Sequence, residues 1–149
     1  MFFDVTEAQY ISDCMIKLRF EDGSSGTVDL SNYPNEENVF RELEVPRNPD
    51  EHMKILKNSS HIVLAIDTNT DRVIGFITAL TDGIQSAFIP LLEVLAEYRK
   101  QGIGSSLVSR MLDKLKGIPA IDLACDPTLQ KFYSKFGMVP SVGMTIREY

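Results

Sequence analysis

Apolar and polar residues alternate along two short stretches near the start of the chain. Ile16, Leu18 and Phe20 fall on one face with Lys17 and Arg19 on the other, and Thr27-Val28-Asp29-Leu30 alternates again. The run Glu21-Asp22-Gly23-Ser24-Ser25-Gly26 between them is turn chemistry, so Met15 to Leu30 is expected to be a β-hairpin. Asn32-Tyr33-Pro34-Asn35 breaks the pattern, and Val39, Phe40 and Leu43 suggest a short helix. Pro46-Arg47-Asn48-Pro49 is a second break whose last two residues suit a helix start, with Met53 and Leu56 apolar up to Lys57. His61 to Ile66 and Val73 to Leu80 read as strands joined by the turn Asp67-Thr68-Asn69-Thr70-Asp71. Asp82-Gly83 then turns the chain into a long strand, Ser86 to Ala96. A helix follows with Leu107, Met111, Leu112 and Leu115 on one face, closed by Gly117. Ile121 to Cys125 reads as a further strand, and Thr145 to Tyr149 as a last one.

The richest segment is Leu91-Leu92-Glu93-Val94-Leu95-Ala96-Glu97-Tyr98-Arg99-Lys100-Gln101-Gly102-Ile103-Gly104-Ser105-Ser106-Leu107. An apolar run of strand type, interrupted at Glu93, passes through a polar turn into the amphipathic helix. Gly102 and Gly104 lack β-carbons, so a ligand can approach the backbone closely there. The N–H groups of the next helical turn point outward with the positive end of the helix dipole behind them. Such a place suits a phosphate or pyrophosphate. A dinucleotide site would need a third glycine and an acidic ribose partner, a place only Asp122 could fill, and the Gly-Lys-Ser/Thr of a Walker loop is absent. The structural alternative is a helix-capping glycine turn with no ligand.

A second segment, Asp126-Pro127-Thr128-Leu129-Gln130-Lys131-Phe132-Tyr133-Ser134-Lys135-Phe136-Gly137-Met138, follows the strand ending at Cys125. Asp126 can cap a helix, Pro127 suits its first position and Gly137 its end. Leu129, Phe132, Tyr133 and Phe136 share one face, which is equally what core aromatics would do.

Composition narrows the class without choosing within it. A chain of 149 residues holds one ordinary core, and 44% hydrophobic with 24% charged residues is typical of a globular protein. No apolar run reaches the roughly 20 residues of a membrane span, and no secretory signal opens the sequence. A net charge of −6 opposes a nucleic-acid partner and favours a cationic substrate such as an amine. Cys14 and Cys125 lack metal spacing and fit a reducing cytoplasm. His52 and His61 have no ligand-spaced partners, so no metal is expected.

Arg99-x-x-Gly102-x-Gly104 between strand and helix resembles the acyl-coenzyme A pyrophosphate loop of the GNAT N-acetyltransferase superfamily. The order cap, helix, Phe132-Tyr133, Phe136-Gly137 resembles the second signature of that family, over about Asn48 to Met138 in all. The resemblance implies a single GNAT-like α/β (α+β) domain, a mixed, mostly antiparallel sheet flanked by helices, here preceded by the hairpin. It implies acetyl-CoA as co-substrate and an amine acceptor. Val94, Leu95 and Ala96 would then line the pantetheine and supply an oxyanion N–H. Arg99, Lys100, Gln101, Gly102, Ile103, Gly104, Ser105 and Ser106 would hold the pyrophosphate. Tyr133 would lie beside the sulfur as general acid, with Asp126 nearby where asparagine is common. Lys100 stands where a glycine is frequent.

Glu93 is a candidate base from its position, the alternative being a solvent-facing strand residue. The first 46 residues depart from the family, whose members usually begin with a strand and a helix. Phe20-Glu21-Asp22-Gly23 and Val28-Asp29-Leu30-Ser31 are more similar to a small bacterial domain of unknown function. That segment is expected to pack on the main domain (47–149) or on a partner subunit in a homodimer. The same departure supports the alternative function, an acyl-CoA-binding sensor or interaction module without turnover.

Overall fold

The structure is a computed structural model and describes residues 1–12, 15–29, 49–70 and 72–146. The N-terminal strands are β1 (Phe2–Ser12), β2 (Met15–Phe20) and β3 (Ser25–Asp29). Helix α1 (Pro49–Asn58) leads to β4 (His61–Asp67), β5 (Arg72–Thr81) and β6 (Ser86–Val94). Helix α2 (Ile103–Lys114), β7 (Ala120–Asp122) and α3 (Gln130–Tyr133) complete the order. The seven strands make one sheet in the order β3-β2-β1-β4-β5-β6-β7. All neighbours are antiparallel except β6 and β7, which α2 joins as a crossover. The expected mixed, mostly antiparallel sheet with helices is therefore present.

The expected hairpin is present as β2 and β3, but it does not stand apart. An isolated two-stranded hairpin is marginal in water. Here β1 connects it to the sheet: Phe2, Phe3 and Asp4 pair with β4, while Val5 onward pairs with β2. The register of β1 against β2 slips twice, between Val5 and Glu7 and between Tyr10 and Ser12. Each slip adds local twist, and β3 is brought back toward β5.

The curl gives the sheet two cores. On one face α2 lays Leu107, Val108, Met111 and Leu115 against Val63, Ala65, Ile77, Ala79, Ala87 and Ile89. On the other, Leu18 and Phe20 close over Ile62, Leu64 and Val73, with Leu56 of α1 at the margin. Gly75 lets α2 approach. A β-carbon there would lie 2.8 Å from the Glu93 carbonyl oxygen and 3.3 Å from Leu107.

Strand β6 carries one extra residue. Thr78 pairs with Leu91 and Leu80 with Phe88, so Ile89 and Pro90 together oppose Ala79. Proline has no N–H to lose from the ladder, which suits it to a bulge. The bulge shifts the alternation. Ala87 and Ile89 face α2 before it, and Leu92 and Val94 face α2 after it. Glu93 is thereby turned to the opposite face.

Several sequence expectations need correction. The strand read as Ser86 to Ala96 ends at Val94, because the chain tightens into a 3-10 turn at Ala96–Tyr98. The strand read as Ile121 to Cys125 is only Ala120–Asp122, since pairing with β6 stops at Phe88. Thr145 and Ile146 form no strand, having no neighbouring strand to pair with among the described residues. Residues 147–149, Cys14 and the helix expected around Val39 to Leu43 lie outside the described residues.

The turn from β5 to β6 is held by Asp82, whose Oδ1 accepts the N–H groups of Ile84, Gln85 and Ser86 at 2.9, 2.8 and 3.1 Å. These donors pull its carboxyl down to about 2 from an ordinary 3.8. A depressed folded-state pKa contributes stability above the ordinary value, lost as pH falls toward the folded one. Asp82→Asn is therefore expected to lower the urea midpoint at pH 7. The gap from wild type should close as pH falls from about 4 toward 2; a gap that stays constant would refute the charge-based account.

Candidate active site

Strands β6 and β7 pair only over Ser86–Phe88 with Ala120–Asp122. Beyond the bulge the outer edge of β6 carries no strand among the described residues. Its hydrogen-bond directions follow from one contact: the Leu95 N–H donates to the Ile74 carbonyl at 2.9 Å. Directions alternate along an antiparallel strand, so Glu93 and Leu91 also turn their backbone groups to β5. Leu92 and Val94 turn theirs outward. Arg99 Nε donates to the Val94 carbonyl at 3.0 Å from that outer side. The edge thus offers the Leu92 and Val94 N–H groups and the Leu92 carbonyl. Leu92 was not among the sequence candidates; counting alternation back from Leu95 identifies it.

The loop after β6 is fixed from outside. Tyr98 Oη donates to Asp67 Oδ2 at 3.0 Å, and Arg72 meets Glu97 at 3.5 Å, both tying the 3-10 turn to the β4–β5 connection. The Tyr98 hydroxyl is raised above its usual pKa mainly by that carboxylate bond. Asp67 is lowered, first by the Asn69 backbone N–H and then by Tyr98. Gln101 Nε2 donates to the Glu97 carbonyl at 3.1 Å. Lys100 adopts φ +62°, the left-handed conformation that a frequent glycine would take without cost.

Gly102 is the N-cap of α2 at φ +86° and places no side chain over the helix end. Ser106 is the first residue to donate its N–H back, to the Gly102 carbonyl at 3.0 Å. The N–H groups of Ile103, Gly104 and Ser105 thus lie at an uncapped helix terminus, with no acidic residue in the first turn. They fit the phosphate-type anion that the loop suggested.

Gly104 joins three elements. A β-carbon on it would lie 3.7 Å from Phe132 and 3.9 Å from Val94, so α2, α3 and the end of β6 meet at this point. Helix α3 is one turn between two 3-10 turns, Pro127–Leu129 and Ser134–Phe136. Asp126 Oδ1 accepts from the Thr128 N–H at 2.8 Å and from its hydroxyl at 2.7 Å. Its carboxylate is thus occupied as the cap, and those bonds lower its pKa. Gly137 closes the segment at φ +81°. Tyr133 sits edge-on to Phe132 at 4.9 Å, half-buried. Burial, and secondarily the neighbouring Cys125, push its hydroxyl above the usual phenol value.

Glu93 lies half-buried opposite Phe76, on the face away from α2. The structure thus brings Val94, Gly104 and the Phe132-Tyr133 pair to one end of β6. Glu93 is adjacent on the strand and faces the other way. Among the described residues no group of histidine, cysteine and acidic side chains is placed to hold a metal, and no helix is long and apolar enough to cross a membrane.

Solved structures of other proteins share this fold. A putative acetyltransferase from Deinococcus radiodurans R1 is similar at TM-score 0.66 and 38% identity, over 74% of this chain and 77% of that one. A GNAT family acetyltransferase from Streptococcus pneumoniae is similar at TM-score 0.65 and 25% identity, over 99% of this chain and 98% of that one. A probable acetyltransferase of unknown function from Staphylococcus aureus reaches TM-score 0.60 and 28% identity, over 69% and 82%. No curated protein matches the sequence. The model of the acetyltransferase (GNAT) family matches residues 28–138, and the chain belongs to that family.

Proposed function

We propose that this protein transfers an acetyl group from acetyl-CoA to a primary amine by direct attack within a ternary complex. The observation that carries the reading is the meeting of an open strand edge, Leu92 and Val94, with the uncapped N-terminus of α2. A pantetheine arm carries amides that suit the first, and a pyrophosphate suits the second. Release of coenzyme A thiol over a panel of amines tests the reaction. Acetyl-CoA binding without thiol release on any amine would leave the binding module as the better reading. Against that module, the pneumococcal acetyltransferase matches this chain over its whole length, N-terminal strands included.

The chain's own groups supply the chemistry. An alkyl ammonium of pKa about 10.4 is mostly protonated at pH 7 and must lose a proton before attack. Glu93 accepts it through water. The outward N–H groups of β6 donate to the carbonyl oxygen as it gains negative charge. Tyr133, a half-buried phenol, gives its proton to the departing thiolate.

The loop reading is tested at Gly104. A methyl fits there at ordinary contact distances, so Gly104→Ala is expected to fold. A carboxylate in the first helical turn favours the helix itself but opposes a bound anion. Gly104→Glu should remain folded and lose coenzyme A affinity by about tenfold or more. Unchanged affinity by calorimetry would remove the pyrophosphate assignment.

The two proton carriers separate by kinetics. Tyr133→Phe deletes only the hydroxyl and should cut turnover by about 10²–10⁴-fold with little change in melting temperature or acetyl-CoA affinity. Glu93→Gln should flatten the acidic limb of the pH–rate profile. Near-normal turnover in the first, or an unchanged limb in the second, returns that residue to a packing or surface role.

A homodimer belongs to the same proposal. Among the described residues β3 is the outermost strand and leaves an edge for pairing. Light scattering that finds only monomer across a wide concentration range would remove it.

A further inference from the structure

We propose that Thr78 is a positioning residue for acetyl transfer: its hydroxyl anchors a buried water against Glu93. The inference rests on the reading of Glu93 as base. Thr78 is the only polar or charged residue among the described ones that is buried, at 0% exposure. Its Oγ1 has no hydrogen-bond partner. The other orphaned side-chain atom among the described residues, Asp4 Oδ1, belongs to a carboxylate whose Oδ2 already meets Lys114 at 3.0 Å. The Thr78 hydroxyl has no such relief.

Its surroundings make the hydroxyl costly. Thr78 lies between Ile62 on β4 and Leu91 on β6, on the face that carries Leu64 and Phe76. Valine has the same shape and would bury no polar atom. A buried hydroxyl in native structure is paired with protein or with ordered water. A polar residue beside it on that face is Glu93, opposite Phe76 and diagonal to Thr78 across β5 and β6. Diagonal cross-strand neighbours stand about 7–8 Å apart. Two hydrogen bonds of about 2.8 Å through one water, with the reach of a glutamate, close that span.

Burial falls in the same direction, from Thr78 to the half-exposed Leu91 and Glu93. The water therefore bridges the Thr78 hydroxyl and the Glu93 carboxylate, with its remaining side turned toward the acceptor. The proton steps balance. The acceptor ammonium gives one proton to the water, and the water gives one to the Glu93 carboxylate. A neutral amine and a carboxylic acid result, and the threonine hydroxyl keeps its own proton.

The test sets Thr78→Val and Thr78→Ser beside Glu93→Gln in thiol-release kinetics. Thr78→Val is expected to melt at the wild-type temperature or up to about 4 °C higher. It should keep its KM for acetyl-CoA, lose about tenfold or more in kcat, and shift the acidic limb of the pH–rate profile. Thr78→Ser should restore both kcat and the limb. Wild-type kcat and profile in Thr78→Val, with Glu93→Gln altered, would overturn this inference alone. An unchanged profile in Glu93→Gln would overturn the base reading and this inference with it. A high-resolution crystal structure needs no folded variant to decide: a water within about 3.2 Å of Thr78 Oγ1 is expected, and a dry hydroxyl overturns the proposal.

Discussion

One extra residue in β6 sets the layout of this protein's candidate site. Ile89 and Pro90 oppose the single residue Ala79, and everything past them changes side. On an uninterrupted strand Glu93 would share a face with Ala87 and Ile89, both almost fully buried against α2. A carboxylate is costly to bury in such a core. The bulge gives those places to Leu92 and Val94 and turns Glu93 to the other face. It also lies where β7 parts from β6, just after Phe88. The same irregularity therefore orients a carboxylate and frees a strand edge.

The freed edge is useful only because the loop beyond it is rigidly placed. The Tyr98–Asp67 bond and the Arg72–Glu97 pair tie the turn to the β4–β5 connection, and Arg99 draws it back onto Val94. Such exposed pairs contribute little energy singly, yet together they set where α2 begins. Gly75 then decides how closely α2 lies on the sheet. The opposite face depends on the N-terminal strands, whose Leu18 and Phe20 replace solvent over Ile62, Leu64 and Val73. Both faces are covered, and the exposed end of β6 is where the glycine loop and the Tyr133 segment meet, with Glu93 beside them on the other face.

Much of this was legible in the chain. The glycine pair, the capped Asp126-Pro127 start and the Gly137 stop are local signals, and local signals survive folding. The amphipathic faces of α1 and α2 and the alternation of β2 likewise need only nearest neighbours to be read. β1 was not legible, because its two register slips break the period of two that marks a strand. The ends of β6 and β7 were misjudged for a related reason: a strand stops where its partner leaves, and the partner is remote in sequence. The roles of Asp67, Arg72 and Gly75 were invisible because each acts on residues that only the sheet brings near.

The sequence by itself determined most of the element types, though not β1, together with the anion-suited loop and the family, since these rest on residue identity and short spacing. The tertiary structure alone decided which way Glu93 points, which backbone groups of β6 are free, and that the hairpin completes the sheet. Those properties depend on strand register and on where neighbouring strands begin and end. Register is a relation between segments far apart in the chain, and no single stretch of residues encodes it.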